Sequence, residues 1–312
     1  MDNNTLNKGD SKLGSNGKIM TTTNSTPNLI LVSTPIGNMG DISLRAIEAC
    51  RDADRILCED TRVSRKLLKK YNIETKLSSY HEHNAQKIRP KIIRDLETGA
   101  QIVLISDAGT PLISDPGYQL VKACIDNKIQ VSSVPGPTAL ITALAVSGLP
   151  PDTFYFGGFL PSKKATRRKI FLEKVKLKTT LIFYESPNRL TGCLEDAIFC
   201  LGNRDAAVAR ELTKLHEDIR RGTLTDLLEF YKKSGRPKGE LVLMIGPPSR
   251  KVTTDMEALE ALLRKLLRNN SLRDTVKIAT DSLGIPRSTV YERALIVRDA
   301  TEKVKDRNSI CH

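Results

Sequence analysis

Several short stretches carry side chains of a type and spacing that could do chemistry. The most concentrated is Ser106–Gly117, SDAGTPLISDPG, which holds two Asp, two Gly and two Pro. Glycine lets backbone approach a ligand, proline stiffens a loop, and a carboxylate such as Asp107 accepts hydrogen bonds from sugar hydroxyls. Glu59-Asp60-Thr61-Arg62 sets two carboxylates beside a guanidinium. It reads either as a functional pair or as a strand-end salt bridge with Thr61 capping the next helix. His81-Glu82-His83-Asn84 has H-x-H spacing, but no cysteine or third histidine stands nearby to complete a metal site, so a polar surface or substrate-facing loop is the better reading. Lys163, Lys164, Arg167, Arg168 and Lys169 follow a Gly-Pro loop and suit phosphate contact unless they form a solvated helix face. Arg210-Glu211-Leu212-Thr213-Lys214 is a further charged group.

The surrounding apolar pattern says what positions them. Gln101–Ile105 is a β-branched run that fits a buried strand, and Tyr118–Ile125 has helical spacing, so the Ser106–Gly117 loop leaves a strand and enters a helix. In open α/β sheets that is where ligands bind. From Asn28 onward strands and helices alternate, predicting a mainly parallel sheet flanked by helices. Leu29–Val32 is a strand leading to the loop Thr34–Asp41; Ser43 caps a helix through Arg51; Arg55–Cys58 is a short strand ending at Glu59. A strand near Lys76–Tyr80, a helix to Thr98, a strand over Lys128–Val134 and a helix over Ala139–Ala145 follow. Ser147–Asp152 breaks the pattern, giving expected domains at 28–149 and 150–248.

The second half restarts with strands at Thr153–Phe156, Thr179–Tyr184, Ala206–Ala209 and Leu241–Ile245, again with polar loops after strands, so a cleft between the halves would gather both sets. Residues 254–300 read as a helix-turn-helix-like tail, with Ser271 as a cap and Gly284 in the turn. The polar residues 1–27 read as a disordered leader and 301–312 as a flexible end.

A net charge of +13 over 312 residues favours a polyanionic partner, and with aromatics at 4% and no Trp, phosphate contact is favoured over base stacking. Six cysteines without a C-x-x-C pair argue for reduced thiols in a cytoplasmic protein rather than disulfides or zinc. The longest apolar stretch, Thr138–Leu149, is too short to cross a bilayer. Phosphate-loop, dinucleotide and Ser-His-Asp signatures are absent. The residues alone therefore yield a basic two-lobed α/β protein with a rigid ligand cleft, and no reaction.

In order along the chain, TPIGNMGDISLRA, EDTR, HEHN, SDAGTPLISDPG, VPGPTA, SGLP, GFLP, FYESPNRL, RELTK and KGE resemble the branch of the tetrapyrrole methylase family that methylates a cytidine ribose 2′-oxygen in the decoding region of small-subunit (16S) ribosomal RNA. The resemblance covers roughly Leu29–Gly246 and, more loosely, the tail. It implies two α/β domains with S-adenosylmethionine between them, usually in a homodimer. Asp107, Ala108, Gly109, Thr110 and Pro111 would contribute to the cofactor pocket, faced by Pro35 and Gly37. Pro135 and Gly136 would lie beside the methionine portion, and Ser186, Pro187, Leu212 and Glu240 would enclose the adenosine. For the in-line displacement that the family implies, Glu59 or Asp60 would orient or deprotonate the ribose hydroxyl. Lys214 would serve only with a depressed pKa or as a phosphate contact. Arg62, His83, Asn84 and Arg210, together with Lys163, Lys164, Arg167 and Arg168, would hold RNA. A corrin or porphyrin C-methyltransferase and a nonenzymatic RNA-binding assembly factor are the rival readings.

Overall fold

The computed structural model describes residues 28–248, 250–283 and 285–309. The first half builds a five-stranded sheet from β1 (Leu29–Val32), β2 (Arg55–Cys58), β3 (Leu77–Ser79), β4 (Ile102–Ile105) and β5 (Val131–Val134), in the order β3-β2-β4-β1-β5, every pair parallel. Parallel strands are buried on both faces, which is why β4 is simply Ile-Val-Leu-Ile and wholly buried. Helices α1 (Leu44–Asp52) and α2 (Thr61–Lys70) cover one face through Ala46, Ile47, Cys50 and Leu68. The other face is covered by α3 (Glu82–Glu97) and α4 (Tyr118–Asp126), through Ile92, Leu96, Leu120 and Cys124. Ser43 caps α1 as expected, accepting the Ala46 amide at 3.2 Å.

The neighbours β1 and β4 thus send their chains to opposite faces. The crevice at their carboxyl ends is a topological switch point, the place such sheets bind ligands.

After α5 (Ala139–Ser147) the second half forms another five-stranded sheet, of β6 (Phe154–Phe159), β7 (Thr180–Glu185), β8 (Asp205–Arg210), β9 (Asp218–Thr223) and β10 (Leu241–Ile245), ordered β6-β7-β10-β8-β9. It departs from the parallel expectation: only β6 and β7 are parallel, and β10 runs antiparallel to both β7 and β8. Strand β9, Asp-Ile-Arg-Arg-Gly-Thr, escapes sequence reading because an edge strand with an open face needs no apolar alternation. Strand β6 runs on to Phe159 through an irregularity at its two glycines, where a loop was expected.

One face of this sheet packs against α6 (Lys164–Lys174), α7 (Leu190–Leu201) and α8 (Leu224–Ser234). The other is covered by α5, whose Leu140, Ala143 and Leu144 pack with Ala207, Ala209, Val242, Met244 and Ile36. A helix that the sequence groups with the first half therefore packs on the second sheet, where it meets Ile36 from the loop after β1.

The tail consists of α9 (Arg250–Leu266), α10 (Leu272–Leu283) and α11 (Arg287–Ser309) around Leu259, Leu263, Val276, Ala279, Val290, Ala294 and Val297. Ser271 accepts the Asp274 amide at 3.2 Å. Helix α11 runs to Ser309, into the stretch 301–312 expected as a flexible end; 301–309 contains no glycine or proline to stop it. Residues 1–27, Ser249, Gly284 and 310–312 lie outside the described residues. Among the described residues no helix is long and apolar enough to cross a membrane.

Candidate active site

Backbone and hydroxyl bonds fix three loops at the switch point. Thr34 and Gly109 exchange both backbone bonds, at 2.9 and 3.0 Å, and the Thr34 hydroxyl donates to the Ser106 carbonyl at 3.1 Å. The Thr110 hydroxyl donates to the Pro137 carbonyl at 3.1 Å, so Ser33, 3.0 Å away, donates to it. The loops after β1, β4 and β5 are thereby locked together.

Between this floor and the second sheet lies a cavity of about 360 Å³. Asp107, Ala108, Gly109 and Thr110 line one side, and Ser186, Pro187, Leu212 and Glu240 the other. Five residues expected in the pocket do not line it. Ile36 faces the cavity in place of its neighbours Pro35 and Gly37, while Pro111 is buried. Pro135 and Gly136 are exposed, with Gly136 turned to Ser33. Sequence reading missed Asp115, Phe159 and Tyr184. Asp115 had a signal, as the second aspartate of the opening loop. The aromatics had none, because their wall, with ring centroids 5.4 Å apart, depends on pairing β6 with β7.

Asp107 also borders a second, more open cavity with Glu59, Asp60, Thr61, Arg62, Ser79, His81 and His83. Its carboxylate accepts the Asp60 amide at 3.1 Å, which fixes the two cavities to each other. Asp60, rather than Thr61, caps α2, accepting the Arg62 amide at 2.8 Å and pairing with the Arg62 guanidinium at 2.7 Å. Those Arg62 bonds hold its carboxyl at about 2, so Asp60 is an anchor and a poor base. Glu59 is displaced the other way, upward, by burial and then by the Asp107 charge. Burial, followed by Glu59 and Asp107, pushes Asp115 up to about 6. Asn84 holds the start of α3, accepting the His81 amide at 2.9 Å and donating to the Ser79 carbonyl at 3.1 Å, and does not line the open cavity.

Lys214 donates to Glu211 at 2.9 Å and Glu240 at 2.7 Å. Burial alone lowers its pKa, but bonds to Glu240 and Glu211 outweigh this and the net shift is upward. Lys214 is therefore not a neutral base. It clamps the second-domain loops behind Gly37, where a Cβ would lie 2.5 Å from Lys214 Cγ and 3.0 Å from the Leu212 carbonyl oxygen. Four non-glycine residues with positive φ, Leu112, Ser114, Glu211 and Thr213, lie in these cleft loops, where strain is characteristic of functional sites.

The fold engages two of the five cations of the basic run. Arg167 is buried and binds Asp196 Oδ2 through Nε at 2.9 Å and Nη2 at 2.6 Å; Arg168 binds Asp196 Oδ1 at 2.7 Å and stacks on Phe199. Arg167 is thus structural, which overturns its expected RNA contact. Lys163 and Lys164 are exposed, and the half-buried Arg210 reaches the Lys238 carbonyl at 3.5 Å.

A switch-point cavity closed by a second, mixed sheet is the architecture of a known family. The profile of the Tetrapyrrole (Corrin/Porphyrin) Methylases matches residues 28–228, and that of the RsmI C-terminal HTH domain matches residues 253–297. The chain belongs to the tetrapyrrole methylase family and is a methyltransferase whose methyl donor is S-adenosylmethionine. It is similar to the Ribosomal RNA small subunit methyltransferase I of Mesorhizobium japonicum, 46% identical over 277 residues that make up 88% of this chain and 94% of that one. The protein of the same name from Escherichia coli O157:H7 is 41% identical over 275 residues, 87% of this chain and 96% of that one. Among solved structures, diphthine synthase superposes with a TM-score of 0.55 at 11% identity, covering 70% of this chain and 89% of its own. The cobalamin biosynthetic cobalt precorrin-4 methyltransferase superposes at 0.52 and 18% identity, covering 70% and 93%, so both share the fold.

Proposed function

We propose that this protein methylates small-subunit ribosomal RNA, at the ribose 2′-hydroxyl of a cytidine in the decoding region. The observation that carries the reading is the pair of cavities joined at Asp107, one enclosed enough for the methyl donor and one open enough for a polymer to present a nucleotide. Relatives at 41–46% identity bear the name of a small-subunit rRNA methyltransferase, and the +13 charge suits RNA better than a small macrocycle.

The first cavity fits the donor. Its volume lies in the ligand-site range of about 300–1,000 Å³, its walls are mainly apolar, and Asp107, Asp115 and Glu240 supply carboxylates that suit a cation and ribose hydroxyls. S-adenosylmethionine supplies a methyl group already activated on sulfonium, so the chain need only align the reacting atoms and exclude water. Alignment can contribute about 7–11 kcal/mol, against roughly 3–5.5 kcal/mol for a general base. The locked Thr34, Gly109 and Thr110 loops provide that rigidity. Glu59 is the group suited to take the hydroxyl proton, since its raised pKa brings it closer to working pH while Asp60 is held by Arg62. Arg62 and His83 line the same open cavity and on this reading would hold the incoming nucleotide. The protein acts in the cytoplasm as a homodimer on this reading.

The test is to incubate the protein with labelled donor and small subunits lacking the modification, and to map 2′-O-methylation. A single labelled cytidine in the decoding region is expected, and Glu59→Gln should slow single-turnover methylation by about 10²–10⁴-fold. Unlabelled subunits alongside a labelled tetrapyrrole would replace the RNA reading with a corrin or porphyrin one. Ribosome maturation that survives Asp107→Arg, with donor binding abolished, would favour a nonenzymatic assembly factor.

A further inference from the structure

Two helices carry dense basic charge, and the fold treats them differently. Helix α6 gives Arg167 and Arg168 to the buried Asp196. Helix α2, Thr-Arg-Val-Ser-Arg-Lys-Leu-Leu-Lys-Lys, contains no acidic residue and keeps its cations outside. At about 100° per residue, Arg62, Arg65, Lys66, Lys69 and Lys70 fall within an arc of roughly 140°. The opposite face buries Ser64, Leu67 and Leu68, which fixes the basic arc toward solvent. All five cations are exposed, and among the described residues Arg65, Lys66 and Lys69 have no carboxylate partner.

Position gives the row its meaning. Thr61 and Arg62 border the open cavity beside Asp107, so the row starts at the proposed acceptor site and runs away from it for about 12 Å. At its far end it meets a surface groove where Arg65, Lys69 and Lys76 outnumber a single carboxylate, Glu74.

We propose that this face of α2 is the track for the RNA phosphodiester backbone flanking the target nucleotide. The inference rests on the rRNA reading and adds to it the surface that registers the strand. The row's cations neutralise phosphates and carry no base information, so the track supplies affinity and register while the open cavity receives the ribose.

The test compares Arg65→Gln/Lys66→Gln/Lys69→Gln/Lys70→Gln with a control of equal charge change at exposed residues outside both cavities, Lys122→Gln/Lys128→Gln/Lys178→Gln/Lys233→Gln. Affinity for a single-stranded RNA spanning the decoding region is measured against salt, and methylation of small subunits is followed in parallel. Four single-strand phosphate contacts give a slope of log affinity on log salt of about 2.8, equivalent to roughly 50-fold between 50 and 200 mM. The α2 variant should lose about that much slope and gain KM while keeping kcat at saturating subunits. The control should change the slope by less than one. Lys69→Gln/Lys70→Gln alone, at solvent-facing positions, should lose about 1.4. Equal slopes for the α2 and control variants, with wild type active, overturn the track alone. A wild type that methylates no subunit overturns the rRNA reading and the track with it.

Discussion

Replacing Asp196 should cost stability and leave RNA binding intact. Its carboxylate is 1% exposed and receives three bonds of 2.9 Å or less from Arg167 and Arg168, while the Arg167 side chain is only 8% exposed. In Asp196→Ala the Arg167 guanidinium keeps only long carbonyl contacts, with Pro161 at 3.4 Å, Ser162 at 3.3 Å and Gly192 at 3.5 Å. Breaking a buried pair from one side typically costs about 3–5 kcal/mol, and at 2–4 °C per kcal/mol for a protein of this size Tm should fall by roughly 6–20 °C. Arg167→Leu/Asp196→Leu removes both charges and should recover most of the loss, since apolar replacement of a buried pair is often neutral. Thermal unfolding by circular dichroism reads the first effect, and salt-titrated RNA binding reads the second. If Arg167→Gln leaves Tm unchanged and lowers the salt slope by about one, Arg167 touches phosphate and its structural role is wrong.

Two further outcomes follow from the cleft. Gly37→Ala forces its new Cβ against Lys214 Cγ and the Leu212 carbonyl, so the loops facing each other across the cleft must part at a cost of about 1–3 kcal/mol. Calorimetry should then show weaker donor binding, and affinity within twofold of wild type would mean that these loops do not set the cavity. Asp115, raised from 3.8 to about 6, favours the folded state below pH 4 and loses that contribution as pH rises through 6. Asp115→Asn should therefore match wild type near pH 4 and exceed it at neutral pH, by no more than about 2 kcal/mol allowing for its partial exposure. Denaturant titrations giving a constant difference across that range would contradict the burial and charge assigned to Asp115.

The first sheet was legible because parallel strands buried on both faces must be written as apolar runs, as in Ile102–Ile105, and their loops as Gly, Pro and Asp clusters. Strand β9 was not, because an edge strand lacks that constraint. The basic residues mark the other limit. Arg167 and Lys69 look alike in composition, and what separates them is whether a carboxylate from another helix arrives, which only the packing of α6 on α7 decides. Asp60 is held by Arg62 two residues on, the salt bridge that the local sequence offered, whereas Glu240, which holds Lys214, lies 26 residues away, beyond the reach of local reading.

The distribution of charge bears on why a ribose hydroxyl, and not a phosphate, would reach the reacting centre. The chain carries +13, yet Glu59, Asp107 and Asp115 converge at the cleft, and the pKa values of Glu59 and Asp115 are raised partly by that crowding. Such a centre repels phosphate and suits both a cationic donor and a neutral hydroxyl. The basic row of α2, the proposed RNA track, lies outside it, beginning at Arg62 beside the open cavity. On the proposed reading a strand held by its phosphates on that row can present only what projects from its backbone, the sugar and base. Asp107, which touches both cavities and holds the Asp60 amide, fixes where that sugar meets the donor.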